Sequence, residues 1–187
     1  MGLVSKIQTL TDLSPEAVNW LNNALETFSF KKNDLVLKEG KVCQYLYYIN
    51  KGMACGYYHL QDHEVCNWIA RENDFATSYY SFISQQPSYE IIACFEDCSV
   101  QAISYAQLNE IYRLFPESER AGRLILEEYY SRLEERLISI QFKSAKERYH
   151  TLLKNRPEII QRAPLGRIAS YLGMKQETLS RIRAEKD

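Results

Sequence analysis

The spacing of apolar residues divides the chain into stretches of different period. From Leu3 to Thr27, Ala17, Leu21 and Leu25 recur at helical intervals behind Thr11-Asp12-Leu13-Ser14-Pro15-Glu16, which combines capping residues with a proline suited to a first helical turn. This segment is expected to be helical and to serve packing. From Phe28 to Ile103 the period shortens, and Leu35-Val36-Leu37, Tyr45 to Ile49, Met53 to Leu60, Val65 to Ala70, Tyr89 to Phe95 and Ser99 to Ile103 are β-prone runs. Polar turns separate them, among them Lys38-Glu39-Gly40, Asn50-Lys51-Gly52, Gln61-Asp62-His63 and Glu72-Asn73-Asp74. Such regular spacing predicts a small antiparallel roll, interrupted by a short helix over Ser78 to Ser84. Rolls of this size often enclose a ligand, and the interruption is where one would sit.

Ser104 is a suitable cap for a helix over Tyr105 to Leu114, Phe115-Pro116 punctuates, and from about Glu117 no proline occurs until Pro157. Within that run Leu126, Tyr130, Leu133, Leu137 and Ile140 step by four, three, four and three. This is an a/d seam flanked by Glu127, Arg132, Glu134, Glu135 and Arg136, and it predicts a parallel dimer contact. A second stripe, Ile125, Tyr129 and Arg136, is left to pack on the roll. Ala145 to Leu153 reads as another helix, which Arg156-Pro157-Glu158 breaks.

The last periodic stretch, Leu165 to Arg183, carries Ile168 and Leu172 on one side of Gly173 and Leu179 and Ile182 on the other. Two short helices can bury that shared seam across a tight turn, as in a helix-turn-helix. Ala169 is small where the helices would cross, and Gly173 can take the left-handed conformation that ends the first of them. Lys175, Gln176, Glu177, Thr178, Ser180, Arg181 and Arg183 then form a polar face with groups that pair with base edges and phosphates. An ordinary helical hairpin with charges outside is the competing reading. With only Ala184 to Asp187 beyond, groove contacts are expected from the second helix and the basic segment before it, without a β-wing.

Charge sharpens this picture. The chain has 187 residues and a net charge of −1. Residues 143–187 carry eleven Lys/Arg against five Asp/Glu, a net of +6, which leaves −7 on the rest. A basic terminal segment on an acidic body suits a nucleic-acid-binding module joined to a different domain. No apolar run approaches the roughly 20 residues that cross a bilayer, and Met1 to Lys6 lacks a secretory h-region, so a cytoplasmic protein without a membrane partner is expected. The five cysteines, Cys43, Cys55, Cys66, Cys94 and Cys98, contain no CxxC pair and read as small apolar residues in a reducing compartment. His59 and His63 fall short of a metal set, so neither metal nor cofactor is expected, and no catalytic cluster presents itself.

Helix, β-roll, long helix and helix-turn-helix in this order resemble the Crp/Fnr family of transcription regulators over nearly the whole chain. The residues that carry the resemblance are Glu39-Gly40, Leu46-Tyr47-Tyr48-Ile49-x-Lys51-Gly52, Asp74-Phe75, Glu147-Arg148-Tyr149, Ile168 to Gly173 and Glu177 to Ile182, the last two in a form similar to that of Bacteroidetes regulators. The resemblance implies an α+β fold: a cyclic nucleotide-binding-like β-roll with flanking helices over 1–115, a dimerisation helix over 116–142, and a DNA-binding helix-turn-helix over 143–187. It implies a homodimer on palindromic double-stranded DNA, with RNA polymerase as a further partner. Gln176, Glu177 and Arg181 match base-contacting positions and Thr178 a phosphate-contacting one, while Lys175 replaces the usual Ser/Thr cap.

The sensing site departs from the pattern of the cyclic-AMP binders. Thr77-Ser78 stands where they have Gly-Glu, and Ser88-Tyr89 where they have Arg-Ser. A buried phosphate without a cation is costly, so an effector other than cyclic AMP, or none, is expected. Thr77, Ser78, Tyr79, Tyr80, Ser88 and Tyr89 are the candidate pocket residues. The iron-sulfur branch is disfavoured because no cysteine precedes Cys43. The alternative function is a catalytically silent ligand-binding roll whose terminal helices make protein contacts.

Overall fold

The computed structural model describes residues 2–61 and 63–185. Asp62 of the predicted Gln61-Asp62-His63 turn, and Lys186 and Asp187 of the basic segment, lie outside the described residues. Among the described residues eight strands form two four-stranded sheets, β1 (Glu26–Phe30), β8 (Cys98–Ser104), β3 (Tyr45–Lys51) and β6 (Phe75–Ala76) in one, and β2 (Leu35–Leu37), β7 (Ile91–Cys94), β4 (Ala54–Leu60) and β5 (His63–Ala70) in the other. All pairings are antiparallel. The predicted roll is therefore present, and β5 is an edge strand of its sheet.

Alternation along β3 and β8 builds two cores at once. Tyr47, Ile49, Val100 and Ala102 point between the sheets and join Ala54, Ala76, Cys94 and Cys98. Tyr48 and Ile103 point the other way, onto the helices. The interior between the sheets is filled by these side chains, with a residual void of about 10 Å³. All five cysteines are buried and free, as expected of small apolar residues.

The outer face is covered by α1 (Leu3–Gln8), α2 (Pro15–Ala24), α4 (Tyr105–Leu114) and the start of α5 (Glu117–Phe142). The helical segment expected from Leu3 to Thr27 holds two helices with a break before Pro15, and the expected start is in place: Ser14 caps α2 by accepting from the Ala17 N–H at 3.3 Å. The end of that segment is not helical either. Glu26 and Thr27 belong to β1, where the ladder to Ala102 and Gln101 overrides the helical spacing. Strand β6, two residues long, was not legible as a run.

Strand β5 begins at His63, which the sequence reading placed in a turn, because His63 and Glu64 pair with Leu60 and His59, whereas several helix boundaries agree with that reading. The helix α3 (Tyr79–Ser84) interrupts the roll, and Ser104 caps α4 in a reciprocal box with Gln107. Helix α5 starts at Glu117 and spans about 39 Å. Ile125 and Tyr129 face the roll, with Tyr129 stacked on Tyr79 at 6.1 Å between centroids. Leu126, Tyr130, Leu133 and Leu137 face solvent. After α6 (Ala145–Asn155), the expected break at Pro157 opens a further short helix, α7 (Pro157–Arg162), with the proline at its first position.

Gly56 in β4 lies directly under the Trp68 indole, and a Cβ there would come within 2.3 Å of the ring. Replacing Gly56 with alanine is expected to lower the denaturant midpoint by an amount equivalent to about 1–3 kcal/mol, as overpacking does, in a chemical unfolding titration.

Candidate nucleic-acid interface

The terminal module consists of α8 (Leu165–Tyr171) and α9 (Gln176–Ala184). Ile168, Ala169, Leu172, Leu179 and Ile182 are buried between them and continue into the core formed by Tyr149, Leu152, Ile159 and Ile160. Gly173 adopts φ +64°, and the Gly173 and Met174 N–H groups donate to the Ser170 and Ala169 carbonyls, both at 3.0 Å. The turn is thus closed as the glycine requires. Lys175 precedes α9 with extended backbone and makes no side-chain cap bond. The first N–H groups of α9 therefore lack a side-chain cap and suit an anion.

Lys175, Gln176, Glu177, Ser180, Arg181 and Arg183 are all exposed, and Thr178 is half-buried. One face of α9 accordingly presents the sequence-derived candidates together. Gly166 leaves room for Gln176, whose Oε1 would lie 3.0 Å from a Cβ on that glycine. At the end of the helix Glu185 pairs with Lys146 at 2.8 Å, which holds the Glu185 carboxyl below its ordinary range.

The module is seated on the roll by side chains that face away from this surface. Ser170 Oγ accepts from the Cys66 N–H at 2.8 Å and donates to the Glu64 carbonyl at 3.0 Å. Arg167 pairs with Glu64 at 2.6 Å and lies 3.8 Å above the centre of the Tyr57 ring. Arg136 Nη2 donates to the carbonyls of Cys66 and Tyr171 at 3.1 and 3.2 Å. Asp74 accepts from Arg132 at 3.0 Å and also from Arg156, which joins the β5–β6 turn to α5 and to the start of α7. Arg162 binds both Glu72 oxygens at 2.8 Å and Glu96 at 2.9 and 2.6 Å. So Arg156, Arg162 and Arg167, counted in the sequence as part of a basic DNA-facing excess, are directed at acids of the roll.

The candidate pocket residues separate. Ser78 and Ser88 are buried and bonded to one another at 2.8 Å, and Ser88 Oγ also donates to the Glu90 carbonyl. Tyr80 and Tyr89 stack on each other and are exposed. Only Thr77 and Tyr79 border a sizeable cavity. Nearby Glu90 is 3 % exposed, accepts from Asn67 at 3.0 Å, and has its carboxyl pKa raised chiefly by burial. Of the seam, Leu126, Tyr130, Leu133 and Leu137 are 42–63 % exposed, whereas Ile140 is half-buried beside Gly173.

Residues 27–114 match the family model of the cyclic nucleotide-binding domain. No curated protein matches the chain significantly. Among solved structures, FixK2 from Bradyrhizobium japonicum superposes with a TM-score of 0.72 at 22% identity, over 86% of this chain and 83% of that one. The c-di-GMP responsive global regulator CLP from Xanthomonas campestris gives 0.71 at 18% identity, over 91% and 90%. A putative Crp/Fnr regulator from Eubacterium rectale gives 0.71 at 18%, over 91% and 82%. The chain has the fold of a Crp/Fnr-type regulator.

In this Crp/Fnr fold the residues that sequence spacing did not single out are the ones that seat the terminal helices, namely Arg156, Arg162, Arg167 and Ser170. Asp74 had a signal, the Asp74-Phe75 pair, but not a role. Arg162 holds the Glu72 carboxyl down to about 2 from an ordinary 4.5. Both Glu72 and Glu96 have lowered values, so their contribution is present above about pH 4.5 and is lost in acid, that of Glu72 as pH falls towards 2. The stability difference between the native protein and Arg162→Ala, read as denaturant midpoints, is expected to be constant near neutrality and to shrink across that acid range.

Proposed function

We propose that this protein is a DNA-binding transcription regulator that acts as a homodimer on a palindromic site and responds to an effector other than cyclic AMP, or to none. The observation that carries the reading is that α9 buries Leu179 and Ile182 while Lys175, Gln176, Glu177, Ser180, Arg181 and Arg183 remain exposed on a module held in place from behind. Arg181 would pair with a guanine O6/N7 edge, Glu177 would accept from a cytosine amine, and Lys175 with the open end of α9 would hold a phosphate. The solvent-facing stripe Leu126, Tyr130, Leu133 and Leu137 supports pairing with a second copy through α5. Two recognition helices about one DNA turn apart then read an inverted repeat.

Buried Glu90 and the mutually bonded Ser78 and Ser88 support the departure from cyclic AMP, since a phosphate placed there would meet the Glu90 carboxyl, which lies against Ser78. CLP, described as c-di-GMP responsive, shares the fold with a different nucleotide.

Selection of binding sites from random duplexes, followed by salt-dependent mobility shifts, tests the reading. Arg181→Ala is expected to relax preference at one base pair by about 1–3 kcal/mol, whereas Lys175→Ala weakens all sequences alike and lowers the salt slope by about one. Equal losses on every sequence for both variants would contradict these roles, and an absence of salt-dependent affinity would overturn the DNA reading. Leu133→Glu combined with Leu137→Glu is expected to give a monomer in sedimentation velocity and to lose most of the affinity for a full inverted repeat.

A further inference from the structure

Between the outer face of the β1-β8-β3-β6 sheet and the first turns of α5 lies a cavity of about 370 Å³. This is the scale of a small-molecule site, whereas the space between the sheets amounts to about 10 Å³. The walls are apolar, with Leu21, Phe75, Ile103, Leu108, Ile111 and Ile125 among them. Two of the polar groups that line it are already bonded within the protein. Thr77 Oγ1 donates to the Tyr45 carbonyl at 3.0 Å, and Ser118 Oγ donates to the Phe115 carbonyl at 2.6 Å, with the Ile111 carbonyl at 3.2 Å.

Burial raises the phenols of Tyr112 and Tyr129 to about 12, so both stay neutral at physiological pH. The ionised residues at the cavity, Glu119 and Arg123, are exposed, and Arg123 pairs with Glu127 at 2.5 Å. A charged or strongly polar occupant would forfeit its hydration without a partner inside, whereas an apolar one would exchange water for matching surface. Apolar cavities accept apolar molecules.

We propose that this cavity binds a neutral, predominantly apolar small molecule, aromatic or medium-chain aliphatic, bearing at most one hydroxyl or carbonyl that can meet the Tyr112 phenol. That phenol lies against α5 at Gly122, where an added Cβ would approach its oxygen to 2.1 Å. Ala121, Gly122 and Ile125 make one wall, so the occupant touches the helix that further along carries Leu133, Leu137 and the Arg136 contact to the terminal module. Occupancy stands on the cavity alone, and its regulatory consequence rests on the regulator reading above.

The test titrates the full chain with N-phenyl-1-naphthylamine, followed by its fluorescence, with 1-decanol as competitor. Saturable binding of one probe per chain, displaced by decanol and weakened at least about tenfold in Ala121→Leu, is the expected result. Absence of saturable binding, or affinity unchanged in both Ala121→Leu and Leu108→Trp, would overturn the site. Should either variant fail to fold by circular dichroism, a diazirine analogue of decanol on the native chain decides the matter. Labelling of the peptides that contain Leu108 and Ala121 supports the site, and labelling confined to the Leu133–Leu137 stripe refutes it. DNA affinity is measured separately, so that its absence sinks the regulator reading and leaves the site, while failure of probe binding does the reverse.

Discussion

Arg136 is the point on which the three parts of the molecule meet. It belongs to α5, its guanidinium donates to a carbonyl of β5 and to the last residue of α8, and it lies 5.0 Å over the Tyr171 ring. Hydrogen bonds from a charged donor contribute roughly 1.5–3 kcal/mol each, more than a neutral pair, and here two are made by one terminal nitrogen. The position of the terminal helices relative to the roll is therefore tied to the rotation of α5 about its own axis. The Asp74 contacts to Arg132 and Arg156 brace the same joint from the side.

Helix α5 has to satisfy opposite demands on its two faces. Ile125, Tyr129 and Arg136 hold it to the roll and the terminal module, while Leu126, Tyr130, Leu133 and Leu137 are left apolar and exposed. Because the interior of the roll is filled, the open space against the sheet lies outside it, along this helix.

Much of this was legible in the sequence. The helix-turn-helix followed from apolar spacing about Gly173, the α4 start from Ser104, and the inward stripe of α5 from Ile125, Tyr129 and Arg136, because each depends on neighbours within a few residues. What was not legible depends on distant partners. Strand β6 exists because Ala76 pairs with Tyr47 and Phe75 with Tyr48, and Glu26 is a strand residue because Ala102 lies opposite. The basic excess of the terminal segment gave the right sign but not the destination, since nothing in the order of residues announces that Arg162 meets Glu72 and Glu96. Nor could a count of six candidate pocket residues show that Ser78 and Ser88 would bond to each other while Leu108 and Ala121 line an open space.

The Ser170 hydroxyl has a meaning beyond its two bonds. Among the described residues strand β5 has no neighbouring strand on its outer side, and the groups that Ser170 engages there are the Cys66 N–H and the Glu64 carbonyl, a donor and an acceptor of that bare edge. Helix α8 thus does for β5 what another strand would otherwise do. A terminal module that swung fully clear would uncover a ready template for intermolecular strand addition. Aggregation resistance and the reach of α9 are consequently set by the same few atoms, which favours motions in which the module pivots on the edge over motions in which it leaves it.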